Sequence, residues 1–129
     1  DGLRVVSENE HFLAFVPYAA LSPFHIWIYP KRHNACYGHI TDDEIPALAL
    51  ILKEILLRLY LGLGNPDYNY VIRSLSPGGA DAKYFHWYLA IVPRLTRAAG
   101  FELGTGMYIN TSLPEESAEF LRNVPIGEL

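Results

Sequence analysis

Residues 84–94, Tyr84-Phe85-His86-Trp87-Tyr88-Leu89-Ala90-Ile91-Val92-Pro93-Arg94, alternate polar or small side chains with bulky ones. In an extended strand, that alternation puts Tyr84, His86, Tyr88 and Ala90 on one face and Phe85, Trp87, Leu89 and Ile91 on the other. One face is expected to pack and the other to stay open. Two shorter runs, 3–6 and 11–16, read as strands of a hairpin around the polar turn Glu8-Asn9-Glu10. A third strand is predicted over 24–29, where Phe24, Ile26 and Ile28 alternate with His25, Trp27 and Tyr29 and Pro30 ends the run. Residues 68–74 read as a fourth strand, joined by the Gly- and Pro-containing segment 75–83 to a fifth over 84–92, which predicts an antiparallel pair.

Between the third and fourth strands the period changes. Thr41-Asp42-Asp43-Glu44 is a capping box that places acids at the positive end of a helix dipole. Leu48, Leu52, Ile55, Leu56 and Leu59 continue it at helical spacing, and Gly62 or Gly64 supplies a left-handed stop before Pro66. Pro46 removes one backbone donor, so a small irregularity is expected there. Past Pro93 the chain has a loop rich in Arg and Gly, a short extended piece over 107–110, and a second capped helix opened by Ser112-Leu113-Pro114-Glu115. These elements predict an α+β fold: an antiparallel meander sheet with one long helix on a face and a short C-terminal helix.

Length and composition narrow the classes. At 129 residues, 50 % of them hydrophobic, the chain reads as one domain over 1–129 with a real core and without the composition of a disordered segment. A net charge of −4 supplies no basic footprint for nucleic acid. The longest apolar run, 45–63, carries Pro46, Lys53, Glu54 and Arg58, which makes it an amphipathic helix and not a membrane span. Cys36 is the single cysteine and fits a reducing, cytoplasmic setting. The chain begins with Asp1 and its single methionine is Met107, so it reads as a piece of a longer product, whether the missing part is a tag remnant or an upstream domain.

Several segments in order then point to a family. His86-Trp87-Tyr88-Leu89-Ala90-Ile91-Val92 resembles the histidine-triad motif with one histidine kept. Together with Ile28-Tyr29-Pro30-Lys31-Arg32-His33, Pro93-Arg94-Leu95-Thr96, the run 99–106, Tyr108-Ile109-Asn110 and Pro114-Glu115-Glu116, it resembles the C-terminal half of the galactose-1-phosphate uridylyltransferase family over nearly the whole chain. That resemblance implies two histidine-triad-like halves packed as a pseudo-dimer. The N-terminal half would supply the histidine that takes the nucleotide as a covalent phosphoramidate, and the C-terminal half would contribute to sugar and phosphate recognition. The residues fit the second role. Tyr88 stands at the central motif position and is a poor nucleophile, with an ordinary phenol pKa near 10. Ala90, at the third, has no donor for phosphoryl oxygens. Some family members hold a metal at positions that correspond to Tyr88 and Ala90, so no metal or other cofactor is expected in this chain, although one is compatible with a missing half.

The candidate contacts for phosphate and sugar are Arg73, Gly78, Gly79, His86, Tyr88 and Tyr108. His86 reads either as a ligand hydrogen bond or as a structural histidine, and Tyr88 as a contact or as packing. Arg73, one strand away at about 4.8 Å, suits a phosphate with its paired donors. Ser76, Gly78 and Gly79 would add backbone amides. The glycines of 100–106 and Tyr108 allow close approach to a sugar, with Glu102 as an acceptor for its hydroxyls. Lys31-Arg32-His33 reads as a solvated turn before a phosphate cluster, and Cys36 with His33 and His39 falls short of a zinc site. The expected partners are a nucleotide sugar or sugar phosphate, and either an N-terminal half or a second copy. The chain alone is expected to be inactive. The alternatives are a stand-alone, degenerate histidine-triad module that binds without chemistry, and a nucleotide-sugar or dinucleotide hydrolase or phosphorylase.

Overall fold

Alternating burial and helical burial divide the work of building the core. In a computed structural model, which describes residues 2–18, 23–75, 85–94 and 113–127, five strands form one antiparallel sheet: β1 Val5–Glu8, β2 Phe12–Phe15, β3 Ile26–Pro30, β4 Asp67–Arg73 and β5 Tyr88–Arg94. Their spatial order is β1-β2-β3-β5-β4. Asn9 closes the first hairpin, its Oδ1 accepting from the amides of His11 and Phe12, as an Asx turn does.

The long helix α1, Glu44–Leu63, covers one face of the sheet. It buries Leu48, Ile51, Ile55, Leu59 and Leu63 against Phe12, Ala14, Ile26, Ile28, Trp87, Leu89 and Ile91. The predicted capping box is present. Thr41 N donates to Glu44 Oε1 at 2.9 Å and Glu44 N to Thr41 Oγ1 at 3.3 Å. Gly64 supplies the stop, with φ +77°. The expected irregularity at Pro46 is not seen, because Pro46 is the third residue of α1, where a backbone N–H would have no partner within the helix. A second helix, α2 Pro114–Arg122, packs beside α1, and Gly62 permits the approach: a Cβ there would stand 2.8 Å from Val124. Arg58, held by Glu54 at 3.0 Å, donates to the carbonyls of Leu121, Arg122 and Val124 at the end of α2.

Strand limits differ from those read in the sequence. Residues Gly2–Arg4 form a 3-10 turn, so β1 starts at Val5. The third strand starts at Ile26 and not Phe24, whose φ of 61° lies outside the extended region. Pro30 closes β3 from inside it. The fifth strand starts at Tyr88, and 85–87 are described but extend no ladder. Leu113, not Ser112, precedes α2; its amide donates to Glu116 Oε1 at 3.1 Å. The extended piece predicted over 107–110 lies outside the described residues.

Candidate phosphate and sugar site

The sheet face opposite α1 carries a layer of rings. Cross-strand register sets it: Phe15 lies across from Trp27, Trp27 from Ala90 and Ala90 from Val71, while Leu13 lies across from Tyr29 and Tyr88 from Arg73. Residues directly opposite share a face. Trp27 and Tyr88 meet with centroids 4.4 Å apart, Tyr29 and Tyr88 at 5.4 Å, and Trp27 and Tyr29 lie nearly parallel at 5.9 Å. Phe15 stands edge-on to Trp27 and Tyr29. Such pairs each contribute roughly 0.5–1.5 kcal/mol beyond burial. Ala90 is 5 % exposed, so its small side chain leaves room for the indole above it.

This layer ends in two imidazoles. His86 stacks on Tyr29, with centroids 5.6 Å apart, and its Nε2 lies 2.8 Å from Nδ1 of His33. Fifty-three positions separate the two in sequence. Their meeting is fixed by the segment 32–37. Arg32 forks onto Glu44, Nε to Oε2 at 3.1 Å and Nη2 to Oε1 at 2.9 Å, and also donates to the carbonyl of His39. The Asn34 carbonyl accepts from Trp87 N, and the Ala35 carbonyl from Leu75 N, both at 2.9 Å. Tyr37 N donates to Ser74 Oγ at 2.8 Å. The turn Lys31-Arg32-His33 is exposed, as a solvated turn is, yet each side chain has a partner: Lys31 pairs with Glu8, Arg32 with Glu44 and His33 with His86.

Burial, and secondarily the neighbouring His33, hold the His86 pKa below its ordinary 6.5. Burial also lowers that of His25, whose Nε2 accepts from Trp27 Nε1 at 3.2 Å. Burial, then Tyr88, raises the Tyr29 phenol. The Arg32 hydrogen bonds hold the Glu44 carboxyl below its ordinary value, against its burial. These shifts fix a sign. The unfolded chain binds more protons than the fold both below 6.5, at His25 and His86, and again below the ordinary carboxylate range, at Glu44. Stability is thus expected to be full above pH 7, to fall as pH drops through 6.5, and to fall further as Glu44 protonates. Urea midpoints from pH 8 to pH 4 check this; a midpoint that rises between pH 7 and pH 5.5 contradicts it.

Of the predicted contacts, the structure brings Arg73, His86 and Tyr88 to one end of the open face. Gly78, Gly79 and Tyr108 lie outside the described residues, as do Ser76 and Glu102. His39 and Cys36 do not join His33 in a metal cluster: among the described residues no three His, Cys, Asp or Glu side chains gather, and Cys36 is buried and free. The residues missed as a group are Trp27 and Tyr29, for which alternation along β3 was the available signal, and the pairing of His33 with His86.

The layer of rings around a single motif histidine sets the comparison with known proteins. No protein-family model matches the chain. An uncharacterised HIT-like (histidine-triad-like) protein of Mycoplasma genitalium is 30 % identical over 110 residues, which cover 85 % of this chain and 77 % of that one. The chain belongs to the HIT-like family. An ADP-glucose phosphorylase of Arabidopsis thaliana is 40 % identical over 124 residues, 95 % of this chain and 35 % of that protein. The galactose-1-phosphate uridylyltransferase of Thermotoga maritima is 32 % identical over 132 residues, 95 % of this chain and 41 % of that one. The chain thus spans well under half of these two relatives, and the match to the uridylyltransferases lies in their C-terminal part. A crystal structure of the Arabidopsis ADP-glucose phosphorylase with bound ADP-glucose superposes with a TM-score of 0.77 at 39 % identity, over 95 % of this chain and 40 % of that one. The antiparallel five-stranded sheet with its helices is the fold of these HIT-like neighbours.

Proposed function

We propose that this chain is the nucleotide-sugar and phosphate recognition half of a uridylyltransferase-like nucleotidyltransferase, and that the nucleophilic histidine is supplied by another half of the protein. One observation carries the reading: the central motif residue, Tyr88, is packed against Trp27 at 4.4 Å, and Ala90 lies beneath the same indole. At the position of an attacking imidazole stands a phenol whose ring faces neighbouring rings, and an ordinary phenol, protonated near neutral pH, is a poor nucleophile toward phosphorus. What remains can bind. The hydroxyls of Tyr29 and Tyr88, the imidazole pair and the Arg73 guanidinium offer donors to phosphoryl oxygens and sugar hydroxyls. The ADP-glucose held by the Arabidopsis neighbour supports a nucleotide sugar as the ligand.

The higher identity to the phosphorylase, 40 % against 32 %, favours a second reading of the parent reaction, with inorganic phosphate as acceptor in place of a hexose phosphate. The role of this half is the same in both. A cytoplasmic setting belongs to the proposal, supported by the free Cys36 thiol; no described helix is long and apolar enough to cross a membrane.

The sister half, or a second copy, has a surface to meet. Edge strand β4 is exposed along nearly its whole length, and Tyr68 and Tyr70, across from Pro93 and Ile91, share the α1 side of the sheet. Ala47 and Glu54 of α1 bond toward β1, through Asn9 and Ser7. At 100° per residue the opposite flank of α1 carries Ile45, Ala49, Leu56 and Tyr60, so the chain offers an apolar helix flank and an open strand edge. Titration calorimetry with ADP-glucose and UDP-glucose tests the binding role. Binding is expected, weakened about tenfold by Arg73→Gln; a folded chain that binds neither contradicts the proposal.

A further inference from the structure

We infer that His33, and not His86, is the imidazole this face presents to a ligand phosphoryl oxygen, with His86 as its positioning residue. The nucleotide-sugar ligand rests on the function proposed above; the assignment of the contact rests on nitrogen atoms. His86 has two. Its Nε2 is engaged with His33, and its Nδ1 is buried with no hydrogen-bond partner among the described residues. Neither is left for a ligand.

The tautomers follow from the same two facts. If His33 Nδ1 carried the shared proton, neutral His86 would hold its own on Nδ1, a buried N–H with no acceptor. If His86 Nε2 donates to His33 Nδ1, the atom left buried is an unfilled lone pair. Orphaned buried donors are the rarer and costlier of the two. The second arrangement is therefore favoured, and it fixes the proton of His33 on Nε2, the ring atom not engaged by His86, on an exposed residue.

The donor is also held in place. His33 lies between Arg32, forked onto Glu44, and Asn34, whose carbonyl binds Trp87 N next to His86. The adjoining carbonyl of Ala35 and amide of Tyr37 fasten to Leu75 and Ser74, immediately beyond Arg73 on β4. The ring of Tyr29 stacks on His86 and in turn meets Tyr88, whose cross-strand partner on β4 is Arg73. Glu44 is neutralised by Arg32. An N–H donor preorganised on the face that also carries Arg73 suits a phosphoryl oxygen and offers nothing to a cation.

The test joins imidazole 1H–15N NMR of the folded chain with calorimetry on ADP-glucose. His33 and His86 are both expected in the Nε2–H form. His33→Ala is expected to weaken ADP-glucose binding about tenfold or more. His86→Phe should release His33 into a mixture of tautomers and weaken binding by a smaller factor, and His86→Gln, which keeps a donor toward His33, should restore both readings. His86 found in the Nδ1–H form, or wild-type affinity in His33→Ala, overturns the inference while leaving the proposed function standing. A wild-type chain that binds no nucleotide sugar overturns that function and this contact with it.

Discussion

Trp87→Ala is expected to lower the free energy of unfolding by about 3–5 kcal/mol, the range for deleting a buried aromatic from a close-packed core. Trp87 is fully buried, stands edge-on to Phe12 at 5.9 Å and to Tyr37 at 4.9 Å, and joins the sheet core to the segment that carries His33. Its backbone N–H binds the Asn34 carbonyl. The lost ring therefore removes packing on both sides of that link. Urea denaturation reads the loss directly. Where the alanine variant does not fold, Trp87→Phe, which keeps an aromatic edge, is expected to cost roughly 1–3 kcal/mol. A change below about 1 kcal/mol in Trp87→Ala contradicts the placement of this residue in the core.

Tyr70→Lys is expected to turn a self-associating chain into a monomer. Tyr70 is 64 % exposed on an edge strand, and Tyr68, two residues along on the same face, is exposed as well. An unpaired edge flanked by apolar side chains is a template for another strand, and a lysine on it opposes pairing. Sedimentation at tens of micromolar is expected to show the wild type as a dimer and the variant at least about tenfold weaker in association. A wild type that sediments as a monomer removes the second copy as an occupant and leaves the sister half as the partner to test.

Much of this fold was legible because its strands alternate. Ile26 and Ile28 inward with Trp27 and Tyr29 outward, and Trp87, Leu89 and Ile91 inward with Tyr88 outward, follow from period-two patterning alone. The Thr41–Glu44 box placed the start of α1, and Gly64 its end. Strand ends were less legible: nothing local announces the positive φ of Phe24 or the start of β5 at Tyr88. The site was legible as residue types and not as contacts. His86, Tyr88 and Arg73 share a face as their strand positions require. The pairing of His33 with His86 depends on a turn whose course is set by Glu44 and Trp87, both distant in sequence. Residues 31–33 are exposed, as the solvated-turn reading expects, but their partners Glu8, Glu44 and His86 could not be read from the sequence.

On the function proposed, this half recognises a nucleotide sugar without attacking it. Incubating the folded chain with nucleotide sugar labelled on the phosphoryl group next to the nucleoside, then trapping acid-labile phosphohistidine, tests it most directly. Bound ligand in equilibrium and no covalent label on His33 or His86 are expected. Stoichiometric label on His86 would contradict it, since that imidazole would then be the nucleophile.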